Sequence, residues 1–139
     1  MSPPRAARSS EGLGYEVLGS GPAGDTHLAQ VAHEGWLLTV RIPATSPLFT
    51  GHFPGHPILP GVAQLALVTR ALADWRGPGI ALAGVRSLKL RQPLGPGDTL
   101  TIRLSPAENA ENAVSFVIEK AGTAVSRGTV LTREAAAWR

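Results

Sequence analysis

The residue with the clearest chemical potential is a histidine in a segment rich in proline and glycine. His52 lies within residues 51–62, which read Gly-His-Phe-Pro-Gly-His-Pro-Ile-Leu-Pro-Gly-Val. Each proline fixes its own φ and biases the preceding residue toward extended backbone, while the glycines permit tight turns. Because an imidazole titrates near neutral pH, a histidine held still in such a loop is suited to proton abstraction. The alternative is a histidine that only hydrogen-bonds the backbone of a tight loop.

The loop is followed by the one segment that strongly predicts an α-helix. Residues 62–75 contain no proline or glycine and are rich in alanine and leucine. The pair at 60–61 is a typical helix start, and the Gly-Pro pair at 77–78 is a typical stop. The segment is apolar nearly all round until Arg70, so we expect the helix to be buried. The histidine loop therefore ends at the N-terminus of a helix.

This loop resembles the signature of the hot-dog-fold 3-hydroxyacyl-acyl-carrier-protein dehydratases, the FabA/FabZ-like enzymes of fatty-acid and polyketide synthesis. That signature reads roughly G-H-F-P-G-x-P-I-x-P-G-V, and every fixed position is present in residues 51–62. Residues 58–65, ILPGVAQL, look closest to the ApeI-type thioester dehydratases of aryl-polyene pathways. Residues 85–100 resemble the family's K-F-R-x-P-V strand and P-G-D turn, and the resemblance covers about residues 36 to 132.

The resemblance implies a fold, a reaction and two site residues. The fold is α+β, a hot-dog fold in which a long central helix is wrapped by a curved antiparallel β-sheet, usually assembled as a dimer. The reaction is that of a hydro-lyase, removing water from a 3-hydroxyacyl thioester to give a trans-2-enoyl thioester. Neutral His52 would take the C2 proton, and the Gly61 N–H would bind the thioester carbonyl with an amide that the helix leaves unpaired.

The resemblance also implies what the protein binds. No metal and no redox cofactor are expected, since the acyl chain arrives on the phosphopantetheine arm of an acyl carrier protein. The spacing of His52 and His56 would suit a metal pair on a helix, but Pro54 and Gly55 exclude a helix there. Within the loop, Phe53 and His56 are candidate contacts to substrate or partner, and we expect His56 to be a loop residue rather than a second base.

One departure from the family concerns the catalytic acid. The carboxylate of the family lies fourteen residues after the histidine, and counting from His52 reaches Ala66. Loss of a positioned general acid typically lowers a rate by about 10²- to 10⁴-fold. Water could protonate the leaving hydroxyl, His56 could reach in, or a different hot-dog subunit could supply the carboxylate. The alternatives to a dehydratase are therefore an impaired subunit that pairs with an acid-bearing dehydratase or only binds acyl thioesters, and an acyl thioesterase.

Three further cations are candidate contacts to substrate or partner. Arg70 lies one turn after Ala66, and we favour an ion pair with Asp74 over contact with an anionic substrate or partner carboxylate. Lys89 and Arg91, with Arg86, are predicted to share one face of a strand. That face could bind carrier-protein carboxylates or the phosphopantetheine phosphate, or it could simply be solvated.

Gln64 is the remaining polar residue at the start of the helix. It is predicted to point away from the Ala66 face, and to cap the helix or pair within the dimer.

Composition narrows the class of protein. The chain has 139 residues, no cysteine and a net charge of +3, and its arginines are scattered. We therefore expect a single hot-dog domain over 14–134, a disordered tail over 1–13, and no nucleic-acid partner. No apolar run reaches the length of a membrane span and no secretion signal is evident, so we expect a cytoplasmic protein. A mildly basic surface would suit an acidic acyl carrier protein.

Alternating apolar residues predict the strands. A short strand is expected at 15–18, a hairpin of 26–32 with 36–42 around the turn 33–35, and a helical turn near 47–49. Further strands are expected at 80–94, 99–104, 113–119 and 125–132, with a turn at 95–98.

Overall fold

The computed structural model of the chain describes residues 14–23, 35–49, 59–95, 97–107 and 112–134. Within these described ranges lie one α-helix, α1, a short 3-10 helix and six β-strands. Their bounds are β1 Glu16–Pro22, β2 Trp36–Arg41, the 3-10 helix Pro47–Phe49, α1 Gly61–Arg76, β3 Ile80–Leu90, β4 Thr99–Pro106, β5 Ala113–Lys120 and β6 Thr123–Glu134.

The strands form one antiparallel sheet in the order β1-β2-β4-β5-β6-β3. Helix α1 lies against one face of this sheet and contacts β1, β2, β3 and β4. The arrangement is the predicted α+β hot-dog fold, so the fold-class prediction is confirmed. Because β1 and β3 are the edges of the sheet, each has one side on which no described strand pairs with it.

The core is the layer between α1 and the sheet. On the helix, Leu67, Val68, Ala71 and Leu72 are fully buried, at the spacing of three or four residues that keeps side chains on one face. The sheet supplies alternate residues of its strands, as expected when successive side chains point to opposite faces. Its largest buried side chains are Leu38, Leu100, Ile102, Leu104, Phe116 and Ile118.

The helix begins and ends within one residue of the predicted bounds. Its C-terminus is set by Gly77, which has φ 102° and donates its N–H to the Ala73 carbonyl at 2.9 Å. The expected burial of α1 is confirmed on one side only, because the sheet of this chain covers only that side. Val62 is 78% exposed, and Ala66 and Thr69 are also exposed.

The first hairpin differs from its prediction. Strand β2 pairs along its whole length with β1 on one side and with β4 on the other. Both edges of β2 are thus occupied, and the predicted pairing with 26–32 is wrong; those residues lie outside the described ranges. The partner β1 is longer than the predicted 15–18. The prediction stopped early because Gly19 and Gly21 weaken the strand pattern of the sequence, yet both residues pair with β2 in the structure.

The later strands follow the predicted positions, apart from their ends. Strand β3 ends at Leu90 instead of residue 94, because Arg91 and Gln92 both turn their N–H groups to the Val125 carbonyl. The predicted turn at 95–98 is confirmed for its described residues. Its Asp98 carboxylate accepts the Gly95 N–H at 2.8 Å.

A glycine in β6 allows three strands to pack closely. Gly128 pairs with Phe116 of β5 on one side and with Leu88 of β3 on the other. A Cβ on Gly128 would collide with the Ser87 carbonyl and would lie 2.8 Å from the Phe116 ring. The ring therefore occupies the space that a side chain at this position would need.

We expect Gly128→Ala to lower the free energy of unfolding by about 1–3 kcal/mol, the usual cost of overpacking. Chemical denaturation of both proteins measures the difference. Gly84→Ala on the neighbouring strand is the matched control, because its Cβ would meet nothing closer than the Leu131 side chain at 3.9 Å. Equal stability of the two variants would contradict this account.

Candidate active site

The structure describes the end of the histidine loop and the start of the helix that follows it. His52, Phe53 and His56 lie outside the described residues. The described part begins at Leu59, passes through Pro60 and enters α1 at Gly61. The structure therefore shows how Leu59 and Pro60, the end of the loop, are held in place and which groups lie at the start of α1.

A buried glutamine holds the end of the loop. Leu59 is 1% exposed, and its N–H donates to the Leu94 carbonyl at 2.7 Å. Its carbonyl accepts the side-chain N–H of Gln64 at 3.2 Å, and the Gln64 side-chain oxygen accepts the Ser126 hydroxyl of β6. We call Leu59, Gln64 and Ser126 the Gln64 clamp. Gln64 thus points away from Ala66, as predicted, and its side chain is buried and paired within its own chain instead of capping the helix.

The first turn of α1 presents unpaired amides. Its N-cap residue, Pro60, has no side-chain cap, and the first turn contains no acidic residue. The first bond within the helix runs from the Gln64 N–H to the Pro60 carbonyl at 3.1 Å. The N–H groups of Gly61, Val62 and Ala63 therefore have no acceptor within the helix, and the positive end of the helix dipole is not neutralised by a neighbouring carboxylate.

Two leucines of β3 lie beside the first amide. A Cβ on Gly61 would be 3.5 Å from Leu90 Cδ1 and 3.8 Å from Leu88 Cδ2. Leu88 is half-buried, while Leu90 is 52% exposed. The first residue of α1 thus lies beside two apolar side chains, and such surroundings suit a ligand with a hydrocarbon chain. Sequence reasoning missed both leucines, although they flank Lys89 in the block that resembles the family strand.

Ala66 lies on the uncovered side of α1. It is exposed, one turn after Val62, and neither side chain faces the sheet of this chain. The edge strand β3 also has two exposed apolar side chains, Val85 and Leu90, at 43% and 52%. We call Val62, Ala66, Val85 and Leu90 the uncovered apolar face. Ala66, the position predicted to correspond to the family's carboxylate, therefore opens outward from the chain.

Arg70 belongs to a polar network behind that face. Its Nε donates to the two carboxylate oxygens of Asp74 at 3.0 and 3.1 Å, so the favoured ion pair is confirmed. Asp74 also accepts the Ser20 hydroxyl at 2.7 Å, and Ser20 accepts the Trp36 indole N–H at 2.8 Å. Burial raises the pKa of the Tyr15 phenol, and the Arg70 charge with its hydrogen bond partly opposes that rise. The network ties α1 to β1 and β2.

The three cations near β3 are exposed, but they do not alternate regularly. Lys89 lies within the strand, whereas Arg91 follows its last residue, Leu90. Arg86 occupies a register irregularity of β3 at which the pairing with β6 skips one residue. A β-bulge inserts an unpaired residue and breaks the alternation of faces. The assumption of one regular row is therefore wrong.

The described residues give no sign of a metal site. Across 14–23, 35–49, 59–95, 97–107 and 112–134, no three His, Cys, Asp or Glu side chains group closely enough to hold an ion. His52 and His56 are not among those residues, so the absence of a metal stays a prediction. In the same ranges, the structure has no helix that is both long and apolar enough to cross a membrane.

Known proteins are similar to this chain in sequence and in fold. The family model of the ApeI-like proteins, described as ApeI dehydratase, matches residues 29–129. The dehydratase heterocomplex ApeI:P from Xenorhabdus doucetiae contains a chain with a TM-score of 0.68 and 25% identity, covering 84% of this chain and 95% of that one. The class defined by fold and loop is that of hot-dog dehydratases, and the chain belongs to the ApeI-like family.

Relatives of known name match a smaller part of the chain. The 3-hydroxyacyl-acyl-carrier-protein dehydratase FabZ of Thermus thermophilus is 45% identical over 64 residues, which are 40% of this chain and 45% of the relative. FabZ of Ehrlichia chaffeensis is 30% identical over 92 residues, 61% of this chain and 64% of the relative. The chain thus spans less than two thirds of the length of these curated relatives.

We expect Gln64→Leu to destabilise the fold because it leaves the Leu59 carbonyl and the Ser126 hydroxyl without their partner. Each buried group left unsatisfied costs about 1–3 kcal/mol. Denaturation measures the loss, and hydrogen exchange should show faster exchange at the Leu59 amide. Gln92→Leu, at an exposed position, is the control and should change neither quantity. Unchanged exchange at Leu59 would show that the clamp does not hold the loop.

Proposed function

We propose that this chain is a 3-hydroxyacyl-acyl-carrier-protein dehydratase or a close derivative of one. It would remove water from a 3-hydroxyacyl thioester to give the trans-2-enoyl thioester. The observation that carries the proposal is the complete histidine loop of the family ending on an uncapped helix start. Family membership and the relatives named as dehydratases support it.

In the proposed reaction, His52 accepts the C2 proton and the electron pair of the C–H bond moves toward the thioester carbonyl. The Gly61 N–H, free of any helical acceptor, stabilises the negative charge on the carbonyl oxygen. The C2=C3 double bond then forms as the C3–O bond breaks. The departing hydroxide takes a proton and leaves as water, and Ala66 cannot donate that proton.

The proposed substrate is an acyl chain on the phosphopantetheine arm of an acyl carrier protein, with no metal or redox cofactor. Leu88 and Leu90, beside Gly61, are suited to line the first part of the chain. Fatty-acid, polyketide and aryl-polyene synthesis all use such intermediates, and the ApeI-like family model favours the aryl-polyene branch.

A second candidate function is that of an impaired subunit paired with an acid-bearing hot-dog dehydratase. The outward position of Ala66 on the uncovered apolar face favours it. A homodimer would lack the carboxylate in both sites, whereas a partner subunit with a carboxylate at this helix position would complete the site that uses His52. The structural relative from Xenorhabdus doucetiae is itself part of a dehydratase heterocomplex.

The test of the leading proposal is an assay of the purified chain with a 3-hydroxyacyl carrier-protein thioester, following enoyl formation by mass. We expect slow turnover that is lost in His52→Ala. Ala66→Glu restores the family's carboxylate and should raise the rate by about 10²- to 10⁴-fold, the usual contribution of a positioned acid.

The same assay separates the alternatives. A silent native chain with an active Ala66→Glu variant would support the impaired subunit. Release of free thiol without enoyl product would support an acyl thioesterase. Turnover that survives in His52→Ala would contradict the proposed base.

The heterocomplex has a separate test on the uncovered apolar face. Co-expression with an acid-bearing hot-dog dehydratase should give a mixed complex, measured by native mass spectrometry. We expect Leu90→Lys to abolish the complex, because it places a charge in the proposed interface. Leu18→Lys is the matched control, since Leu18 is equally exposed, at 50%, on the opposite edge strand β1. Equal assembly of the two variants would place the interface elsewhere.

A further inference from the structure

Ion pairs are distributed unevenly over the sheet. Among the described residues, four ion pairs are formed, and all of them involve α1, β1, β2, β4, β5 or the turn before β4. They are Glu16–Arg41, Arg70–Asp74, Arg103–Glu119 and Asp98–Lys120. In the part of the chain that the structure describes, neither β3 nor β6 contributes to an ion pair.

Two cations face each other across β3 and β6. Lys89 and Arg127 are direct partners in the antiparallel register, and both side chains are exposed. Like charges placed directly opposite each other on neighbouring strands destabilise a sheet. Within the described ranges, neither side chain has an ion-pair or hydrogen-bond partner. The fold thus carries an unfavourable pair that its own described residues do not relieve.

Hydroxyl groups form a second row beside these cations. Ser87 of β3 is opposite Thr129 of β6, which in turn is opposite Ser115 of β5. Partners across neighbouring antiparallel strands lie on the same face, as do residues two apart on one strand. The three hydroxyls and the two cations line one depression of about 340 Å³. We call Ser87, Lys89, Ser115, Arg127 and Thr129 the basic surface.

The shape of the basic surface favours a broad partner. It extends over three adjacent strands, and strands lie about 4.7–4.9 Å apart, so it is about 10 Å wide. Its ionic groups are all cations and its other polar groups are hydroxyls, which donate hydrogen bonds readily. No described carboxylate lines the depression. A surface of this kind matches several carboxylates on a protein better than it matches one small anion.

The basic surface lies close to the candidate site but on the other face of the sheet. Lys89 stands between Leu88 and Leu90, the two leucines beside Gly61. Because neighbouring residues of a strand point to opposite faces, Lys89 faces away from α1. The strand ends one residue later, at Leu90, and the exposed Arg91 follows. A flexible arm passing this strand end would connect the basic surface with the Gly61 amide.

We propose that the basic surface is the docking site for an acidic protein, the carrier that delivers the thioester. The inference rests on the proposed function for the identity of the carrier, but not for the surface itself. Carboxylates of the docked protein would supply the partners that Lys89 and Arg127 lack, and would remove the like-charge repulsion between them. The phosphopantetheine arm would then reach Gly61 past Arg91.

The experiment measures binding of a holo acyl carrier protein without an acyl chain, by calorimetry at two salt concentrations. We expect binding that weakens as salt rises, and a Kd raised about tenfold or more in the double variant K89E/R127E. Arg133→Glu is the matched control, since Arg133 is exposed at the far end of the same strand and carries the same charge. Its Kd should stay within about twofold of the native value.

A single substitution separates an effect on carrier binding from an effect on folding. Lys89→Glu should raise the midpoint of thermal unfolding, because it converts a like-charge pair with Arg127 into an ion pair. It should nevertheless weaken carrier binding. Loss of stability together with loss of binding would indicate a structural role for Lys89 and would overturn the inference.

The remaining outcomes separate this inference from the proposed function. Equal weakening by K89E/R127E and R133E, or no carrier binding at all, would overturn the docking site. Competition by free phosphopantetheine that depends on Lys89 and Arg127 would show a small-anion site and would also overturn it. Selective loss of binding, with no enoyl product from carrier-bound or N-acetylcysteamine thioesters, would support the docking site and contradict the dehydratase proposal.

Discussion

The site depends on one buried hydrogen-bonded amide. Pro60 offers no side-chain cap, so the start of α1 is fixed instead by the Gln64 clamp, which joins the Leu59 carbonyl to Ser126 of β6. A glutamine can do this because its side chain donates through nitrogen and accepts through oxygen at once. Both ends are satisfied inside the core, where an unpaired polar group would be costly. Among the described residues, no side chain caps the helix N-terminus, while the position of this N-terminus is held from behind.

The two sides of α1 differ strongly in burial because the sheet packs against only one of them. The side that carries Gln64, Leu67 and Leu72 is enclosed by the sheet, whereas the side with Val62 and Ala66 is uncovered. Exposed apolar area of this kind, beside an edge strand with no neighbour among the described strands, is typical of an interface. In the proposed heterocomplex, a second subunit would complete the site on this surface, beside the free amides of the helix start and Ala66.

The sequence predicted most of this fold because its strongest signals are local. The helix of residues 62–75 was found within one residue, since Pro-Gly and Gly-Pro pairs bound an uninterrupted apolar run. The sequence says less about which distant segments pair with each other. Which strand pairs with β2 depends on packing and not on propensity, and the glycines of β1 concealed the partner that it uses. The direction of Gln64 was predicted correctly, but its partner Ser126 was missed for a related reason, since it is 62 residues away.

The distribution of charge links the uncovered apolar face with the basic surface. The four ion pairs of the described residues lie outside β3 and β6. Apart from Arg76 of α1, the described cations outside those pairs lie on or directly after these two strands: Arg86, Lys89, Arg91, Arg127 and Arg133. A sheet gains nothing in stability from Lys89 opposite Arg127, and an exposed cation could be replaced by many residues without loss of the fold. Leu88 and Leu90, by contrast, alternate with Lys89 and face Gly61. The last three residues of β3 thus place two leucines beside the helix start and the Lys89 charge on the opposite face of the sheet. This division serves binding on both faces better than it serves folding.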